Sequence, residues 1–134
     1  MKCGKRETAW RQAEAKVKTW LKRRGIDSTA DGYKSDYDLL TANGLKIEVK
    51  YSAFITKLDG WQGWSLNAHR HNILDEGSVD WYVAVLGGDP SGLFGKALIS
   101  LVIPAPIETK NLQISPRSLV SRWAGYVNNW RALA

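Results

Sequence analysis

A single cysteine, Cys3, stands among 134 residues, so the chain can form neither an internal disulfide nor a cysteine-rich zinc site, and it suits a reducing compartment. Long hydrophobic runs are missing too. The basic first residues are followed by no apolar core of a secretion signal, and the most apolar stretches, residues 81–86 and 97–103, are far shorter than a membrane span. Internal repeats, low-complexity segments and interdomain linkers are also absent from the sequence. A soluble intracellular protein with no membrane partner is the expectation. What is present fits one folded unit. Hydrophobic residues at 44% and charged residues at 24% are ordinary globular usage, which excludes wholesale disorder, collagen and coiled coil. At this length the chain is expected to be a single domain, residues 1–134.

The net charge of +6 is unevenly spread. The first 24 residues hold nine Lys/Arg against Glu7 and Glu14, and from residue 110 onward Lys110, Arg117, Arg122 and Arg131 stand unopposed. Between them, residues 25–109 hold six Lys/Arg against eleven Asp/Glu. Two basic ends around an acidic middle form the electrostatic footprint of a polyanion partner, because neutralising phosphates releases condensed counterions. The alternative for the N-terminal run is a solvated helix face.

Residues 7–24 read as an amphipathic helix, with Trp10, Ala13, Val17, Trp20 and Leu21 at helical spacing and Gly25 as a C-terminal stop. Glu14 falls inside the apolar arc, where a carboxylate must either reach out of the interface edge or serve a site. From Ser35 the period changes to two. Tyr37, Leu39, Ile47 and Val49 alternate with Asp36, Asp38, Glu48 and Lys50 around the turn signal Asn43-Gly44. A two-residue loop would set carboxylates opposite core residues. A three-residue loop, Ala42-Asn43-Gly44, pairs Leu39 with Ile47 and Asp38 with Glu48, and is the register we expect.

Residues 52–78, interrupted by Gly60, Gly63 and Gly77, read as a long loop with a short strand at residues 64–66 and an irregular or helical piece at residues 69–74. Residues 79–86 and 97–103 read as buried strands, the second stopped by Pro104 and Pro106. Ser115-Pro116 opens a closing helix whose apolar stripe is Leu119, Trp123, Tyr126, Val127, Trp130 and Leu133. The expected fold is α/β, a central mixed sheet of four or five strands flanked by an N-terminal and a C-terminal helix.

The charged hairpin face gathers Asp38, Glu48 and Lys50, since residues two apart share a face and cross-strand partners lie about 5 Å apart. Clustered carboxylates stay ionised only if a cation joins them, and an oxygen-only donor set suits Mg²⁺, or Mn²⁺ in its place. Beside these anions Lys50 should stay protonated, which favours an electrostatic role over that of a free-amine base. The plain alternative is an exposed strand face carrying ordinary ion pairs.

Asp38, followed ten positions later by Glu48-Val49-Lys50 and preceded by a helix carrying Glu14, resembles the PD-(D/E)XK nuclease superfamily, the restriction-endonuclease-like fold. The likeness extends through Trp64-Ser65-Leu66-Asn67, Asp80-Trp81-Tyr82-Val83 and Ile103-Pro104-Ala105 to the terminal residues 126–130, and is to small single-domain members of homing-endonuclease or junction-resolvase type. It implies Asp38, Glu48 and the Val49 carbonyl as ligands of Mg²⁺, Lys50 as the catalytic lysine, and Glu14 as an outer or second-metal carboxylate. Tyr37 replaces the nominal proline, and Asp36 shares the face with Asp38 and competes for the ligand role. The implied activity is metal-dependent hydrolysis of DNA phosphodiester bonds by a homodimer or homotetramer. Homing-type cleavage of duplex DNA, Holliday-junction resolution and DNA binding without cleavage are the readings it leaves open. The implied setting is the cytoplasm or nucleoid, in a phage or prokaryotic host.

For DNA contacts the sequence offers Lys16, Lys18, Lys22 and Arg23 on the first helix, and Trp61 and Trp64 among glycines as base-facing aromatics. His69-Arg70-His71-Asn72 supplies two imidazoles with no third ligand at a useful spacing, so it reads as a phosphate-contacting or surface loop. The remaining tryptophans fit core stripes, and Asp80 reads as a cap or structural pair.

Overall fold

The computed structural model describes residues 5–30, 38–67, 79–88, 98–104 and 111–133. In chain order the elements are α1 (Lys5–Arg23), β1 (Ser28–Ala30), β2 (Leu39–Thr41), β3 (Lys46–Ser52), β4 (Ile55–Thr56), β5 (Gln62–Asn67), β6 (Trp81–Leu86), β7 (Ile99–Pro104), β8 (Asn111–Ile114) and α2 (Pro116–Leu119). Two single-turn 3₁₀ segments follow, Ala124–Tyr126 and Trp130–Leu133.

Helix α1 stops where the sequence requires. Gly25 takes φ +77°, its amide donates to the Lys22 carbonyl at 3.0 Å, and the Ile26 amide donates to the Leu21 carbonyl at 3.0 Å. This is the paired bonding of a Schellman cap, and buried Ile26 closes it on the same cluster as Leu21. Ala13, Val17 and Leu21 are buried, whereas Lys16, Lys18, Lys22 and Arg23 face outward.

The larger sheet has five strands in the order β1-β2-β3-β6-β7 and is mixed, with β3 and β6 parallel and every other pair antiparallel. Its hairpin pairs Leu39 with Ile47 as expected, but the ladder ends there: the Asp38 amide bonds the Ile47 carbonyl at 2.9 Å, so the expected cross-strand pairing of Asp38 with Glu48 is not formed. The Thr41 amide bonds the Leu45 carbonyl at 2.9 Å, and Gly44 takes φ +89° in a three-residue loop. Both faces of this sheet are covered. Leu39, Ile47, Val49, Val83, Val85 and Val102 pack under α1, while Ala84, Leu86, Leu101 and Ile103 pack against Trp64, Leu66, Leu112 and Ile114. Double coverage explains why β6 and β7 read as continuous apolar runs rather than alternations.

The second layer corrects the sequence reading. Residues 52–67 are not a long loop: β4 and β5 form a hairpin, and β8 pairs with β5 to complete a three-stranded sheet. Gly63, which reads as an interruption, lies within that sheet, and glycine is required there because a Cβ would sit 2.3 Å from the Ile114 carbonyl oxygen. The short strands β1 and β8 carry too few residues for a period to register.

The closing helix is also corrected. Ser115 caps α2 as expected, accepting from the Ser118 amide at 3.1 Å while its own amide donates to Ser118 Oγ at 2.9 Å, but the helix ends at Leu119. Leu119 and Trp123 belong to the core on the β5 side, and Trp130 and Leu133 to the core under α1. Between them the chain passes around the edge of β7. Val127 bridges to Leu101, the Asn128 amide bonds the Ser100 carbonyl at 2.9 Å, and Ser100 Oγ bonds Asn128 Oδ1 at 2.6 Å. A straight helix cannot pack on both faces of one sheet, so the apolar stripe is satisfied by a bent path.

Candidate active site

Strand alternation sends Ile47, Val49 and Tyr51 toward α1, and Glu48, Lys50 and Ser52 to the opposite face. Glu48 is 5% exposed. In the parallel register it lies beside Tyr82, and Lys50 lies beside Ala84. Lys50 Nζ stands 3.6 Å from Glu48 Oε1, an ion pair along the same strand face.

Asp38 precedes β2 and is held from two directions. Its amide donates to the Ile47 carbonyl at 2.9 Å, and its Oδ2 accepts the Val49 amide at 2.7 Å. Glu48, and Glu14 reaching over from α1, both stand close enough to its carboxyl to feel its charge. Helix, hairpin and central strand thus bring three carboxyl groups and one ammonium to one place, with Asp38 as the middle member. In an extended strand a residue's N–H and C=O point to the same side, so the Val49 carbonyl lies on the edge of β3 that faces Asp38.

The electrostatics follow from burial and crowding. Burial, then the Asp38 charge, push the Glu48 carboxyl up from 4.5 to about 8, although Lys50 opposes the shift. The same causes raise Glu14 to about 7 against the pull of Arg11. Burial and the neighbouring Glu48 raise the Tyr82 phenol. Glu14 and Glu48 are thereby the carboxyl groups of this cluster that hold their protons most readily.

Among the described residues the donor chemistry fits a hard divalent ion: carboxylate and carbonyl oxygens, with no sulfur or imidazole. Among the described residues no group of three or more His, Cys, Asp or Glu side chains is spaced as a metal centre. Asp38, Glu48 and the Val49 carbonyl are the oxygens that would hold such an ion, with positions left for water.

Other sequence candidates divide. Trp64 is not base-facing: it is fully buried, and its indole N–H donates to the Gly87 carbonyl at 2.8 Å. Its position near glycines favours a loop, but the pairing of β5 with β8 places it in the core. Trp61 is half-buried with the Lys57 ammonium 5.1 Å from its ring centre. Asp80 is structural as expected, accepting the Lys46 amide at 2.8 Å and donating its own amide to the Lys46 carbonyl at 2.8 Å. Asp36, His69, Arg70 and His71 lie outside the described residues. Tyr82 escapes sequence reasoning, because its place beside Glu48 is legible only once β3 and β6 are known to run parallel.

Among the described residues no helix is long and apolar enough to cross a membrane. No protein-family model matches the sequence, and no curated protein matches it. A solved structure does: the bacterial homing endonuclease I-Ssp6803I is similar with a TM-score of 0.70 at 17% identity, over 97% of this chain and 93% of that one. The chain therefore has an α/β fold with a mixed five-stranded sheet, shared with a bacterial homing endonuclease along nearly its whole length.

Proposed function

We propose that this chain is a metal-dependent DNA endonuclease of the homing type, with a PD-(D/E)XK active site. The observation that carries the reading is the convergence of Glu14, Asp38 and Glu48 with Lys50. It occurs in a fold that a homing endonuclease also has. Asp38, Glu48 and the Val49 carbonyl would hold Mg²⁺ or Mn²⁺, which supplies Lewis-acid charge at a phosphate and lowers the pKa of a bound water. Lys50 directs its ammonium at the scissile phosphate and offsets the charge that develops there. Glu14, beside Asp38, would serve as an outer or second-metal carboxylate. The exposed cations of α1 contact phosphates away from these carboxylates. With one such site per chain, cutting both strands of a duplex calls for a homodimer or homotetramer.

The test is cleavage of supercoiled plasmid, linear duplex and a four-way junction, with Mg²⁺, with Mn²⁺ and with chelator. Metal-dependent nicking or linearisation that Glu48→Gln and Lys50→Ala each reduce by orders of magnitude is the expected result. Cleavage restricted to the junction would make the protein a resolvase instead. DNA binding with no cleavage under any metal would make it a binding protein on a nuclease fold.

A further inference from the structure

The hairpin joining β4 to β5 ends in a large apolar side chain with nothing among the described residues to pack on. Leu58 is fully exposed, at 111% of its reference area. Its turn is nevertheless tightly pinned. The Lys57 amide donates to the Trp61 carbonyl at 2.8 Å, the Gly60 amide to the Lys57 carbonyl at 2.9 Å, and the Trp61 amide to Asp59 Oδ1 at 3.0 Å. Gln62 Nε2 adds a bond to Thr56 Oγ1 at 3.3 Å, and Gly60 takes φ +90°. Leu58 occupies the first central position of this turn, where proline and polar residues serve as well or better. Folding gains nothing from leucine there.

The base of the hairpin is locked to the strand that bears Glu48 and Lys50. Trp64 is buried with its indole on the Gly87 carbonyl at 2.8 Å, the Ser65 amide donates to Ser52 Oγ at 3.0 Å, and the Gly87 amide donates to the Ser52 carbonyl at 2.8 Å. Ser52 ends β3 two residues past Lys50. Leu58 follows Lys50 by eight residues, a chain reach of at most roughly 27 Å. That is about eight base-pair steps of duplex. Next to Leu58, the Lys57 ammonium lies over the Trp61 ring with 5.1 Å to its centre, so this cation is held along the hairpin shaft. An apolar tip with a held cation one residue away matches a duplex groove, where base edges lie between phosphates.

We propose that the β4–β5 turn is a wedge for duplex DNA: Leu58 enters the groove and leans on a base step, partly unstacking it, while Lys57 meets the adjacent phosphate. This rests on the nuclease reading and adds to it a determinant of where the enzyme settles. Unstacking is least costly at flexible steps, so the tip selects DNA by deformability rather than by hydrogen bonds to bases.

Fluorescence anisotropy of the full chain, in Ca²⁺ to hold back cleavage, would compare a fully paired labelled duplex with the same duplex carrying one abasic site, across a salt series. The wild type should bind the abasic duplex more tightly. Leu58→Ser should weaken binding to the paired duplex about tenfold and erase that preference with an unchanged salt slope, since no phosphate contact is lost. Leu58→Met should retain both properties, and Lys57→Ala should flatten the slope by about one unit. Wild-type affinity and preference in Leu58→Ser would overturn the wedge while leaving the nuclease reading intact. An altered sedimentation coefficient in that variant, with DNA binding unchanged, would assign the tip to contact between copies and overturn it equally. A wild-type chain that binds neither duplex would remove the nuclease reading and the wedge together.

Discussion

Asp38 accepts the backbone amide of Val49 at 2.7 Å, so the carboxylate proposed as a metal ligand also serves as an acceptor for the strand that carries its partner Glu48. A structural bond and a site carboxylate are one group. Its two oxygens can serve different ends, because Oδ2 is held by the strand and the geometry of the other is fixed by that hold.

Substitutions at Asp38 should therefore separate by chemistry. Asp38→Ala leaves the Val49 amide without this acceptor and is expected to cost about 1–3 kcal/mol of stability. Asp38→Asn keeps an acceptor oxygen and removes the charge that crowds Glu14 and Glu48, so its thermal midpoint should match or exceed that of the wild type. Both should lose cleavage by orders of magnitude. Thermal melts beside a plasmid assay make the comparison, and equal destabilisation of the two variants would show that the amide bond matters little.

Glu48 gives a pH dependence with a definite sign. Its carboxyl is raised in the folded chain from 4.5 to about 8, so the folded state holds a proton that the unfolded state releases. Stability from this group is complete below about pH 4.5 and is lost progressively as pH rises through about 8. In chelator, Glu48→Gln should melt higher than the wild type at pH 8, and the two should converge near pH 4.5. Glu14→Gln should follow the same course over the narrower window ending near pH 7. Because metal binding displaces these protons, Mg²⁺ should raise the wild-type midpoint more at pH 8 than at pH 6. A midpoint difference that ignores pH would remove Glu48 from this account.

The outward cations of α1 make a separate prediction for binding. Neutralising Lys16, Lys18, Lys22 and Arg23 together should weaken binding to all duplexes alike and flatten the dependence of log affinity on log salt. These side chains are exposed, so the melting temperature should barely move. An unchanged slope would make this face merely solvated.

For Trp64 the expectation is structural. Trp64→Phe leaves the Gly87 carbonyl without its indole donor and opens space in the core beneath β5, at about 1–3 kcal/mol. Denaturant melts should show the loss, while affinity for DNA, measured where the variant is folded, should stay near the wild-type value.

What could be read from the sequence was what depends on near neighbours. The Schellman cap at Gly25 and the three-residue turn at Gly44 follow from local turn chemistry, and the pairing of Leu39 with Ile47 from the mismatch that any other register creates. The nearness of Asp38, Glu48 and Lys50 was legible for the same reason, since all three belong to one hairpin, but the way Asp38 is held, by the Ile47 carbonyl and the Val49 amide and not opposite Glu48, was not. Glu14 was legible as a misfit in an apolar arc, though its contact with Asp38 was not. The failures lie where distant segments decide. Trp64 looks like a loop residue until β8, more than forty residues away, pairs with β5. Tyr82 meets Glu48 only through a parallel crossover, and the stripe from Leu119 to Leu133 satisfies a helical period while serving two faces of a sheet.

That last stretch also sets the order in which the molecule can be finished. Asn43 Nδ2 bonds the Leu133 carbonyl across ninety residues of chain, and Trp20 meets Trp130 edge-on at 5.7 Å. Until residues 127–133 dock, the outer edge of β7 lacks the Val127 bridge and α1 lacks the Trp130 ring that packs on Trp20. Contacts of such long sequence separation close late, and an open strand edge in the interval is a template for a neighbouring chain. Refolding copies are thus most prone to pair wrongly just before residues 127–133 dock, so the yield of refolding should fall as protein concentration rises.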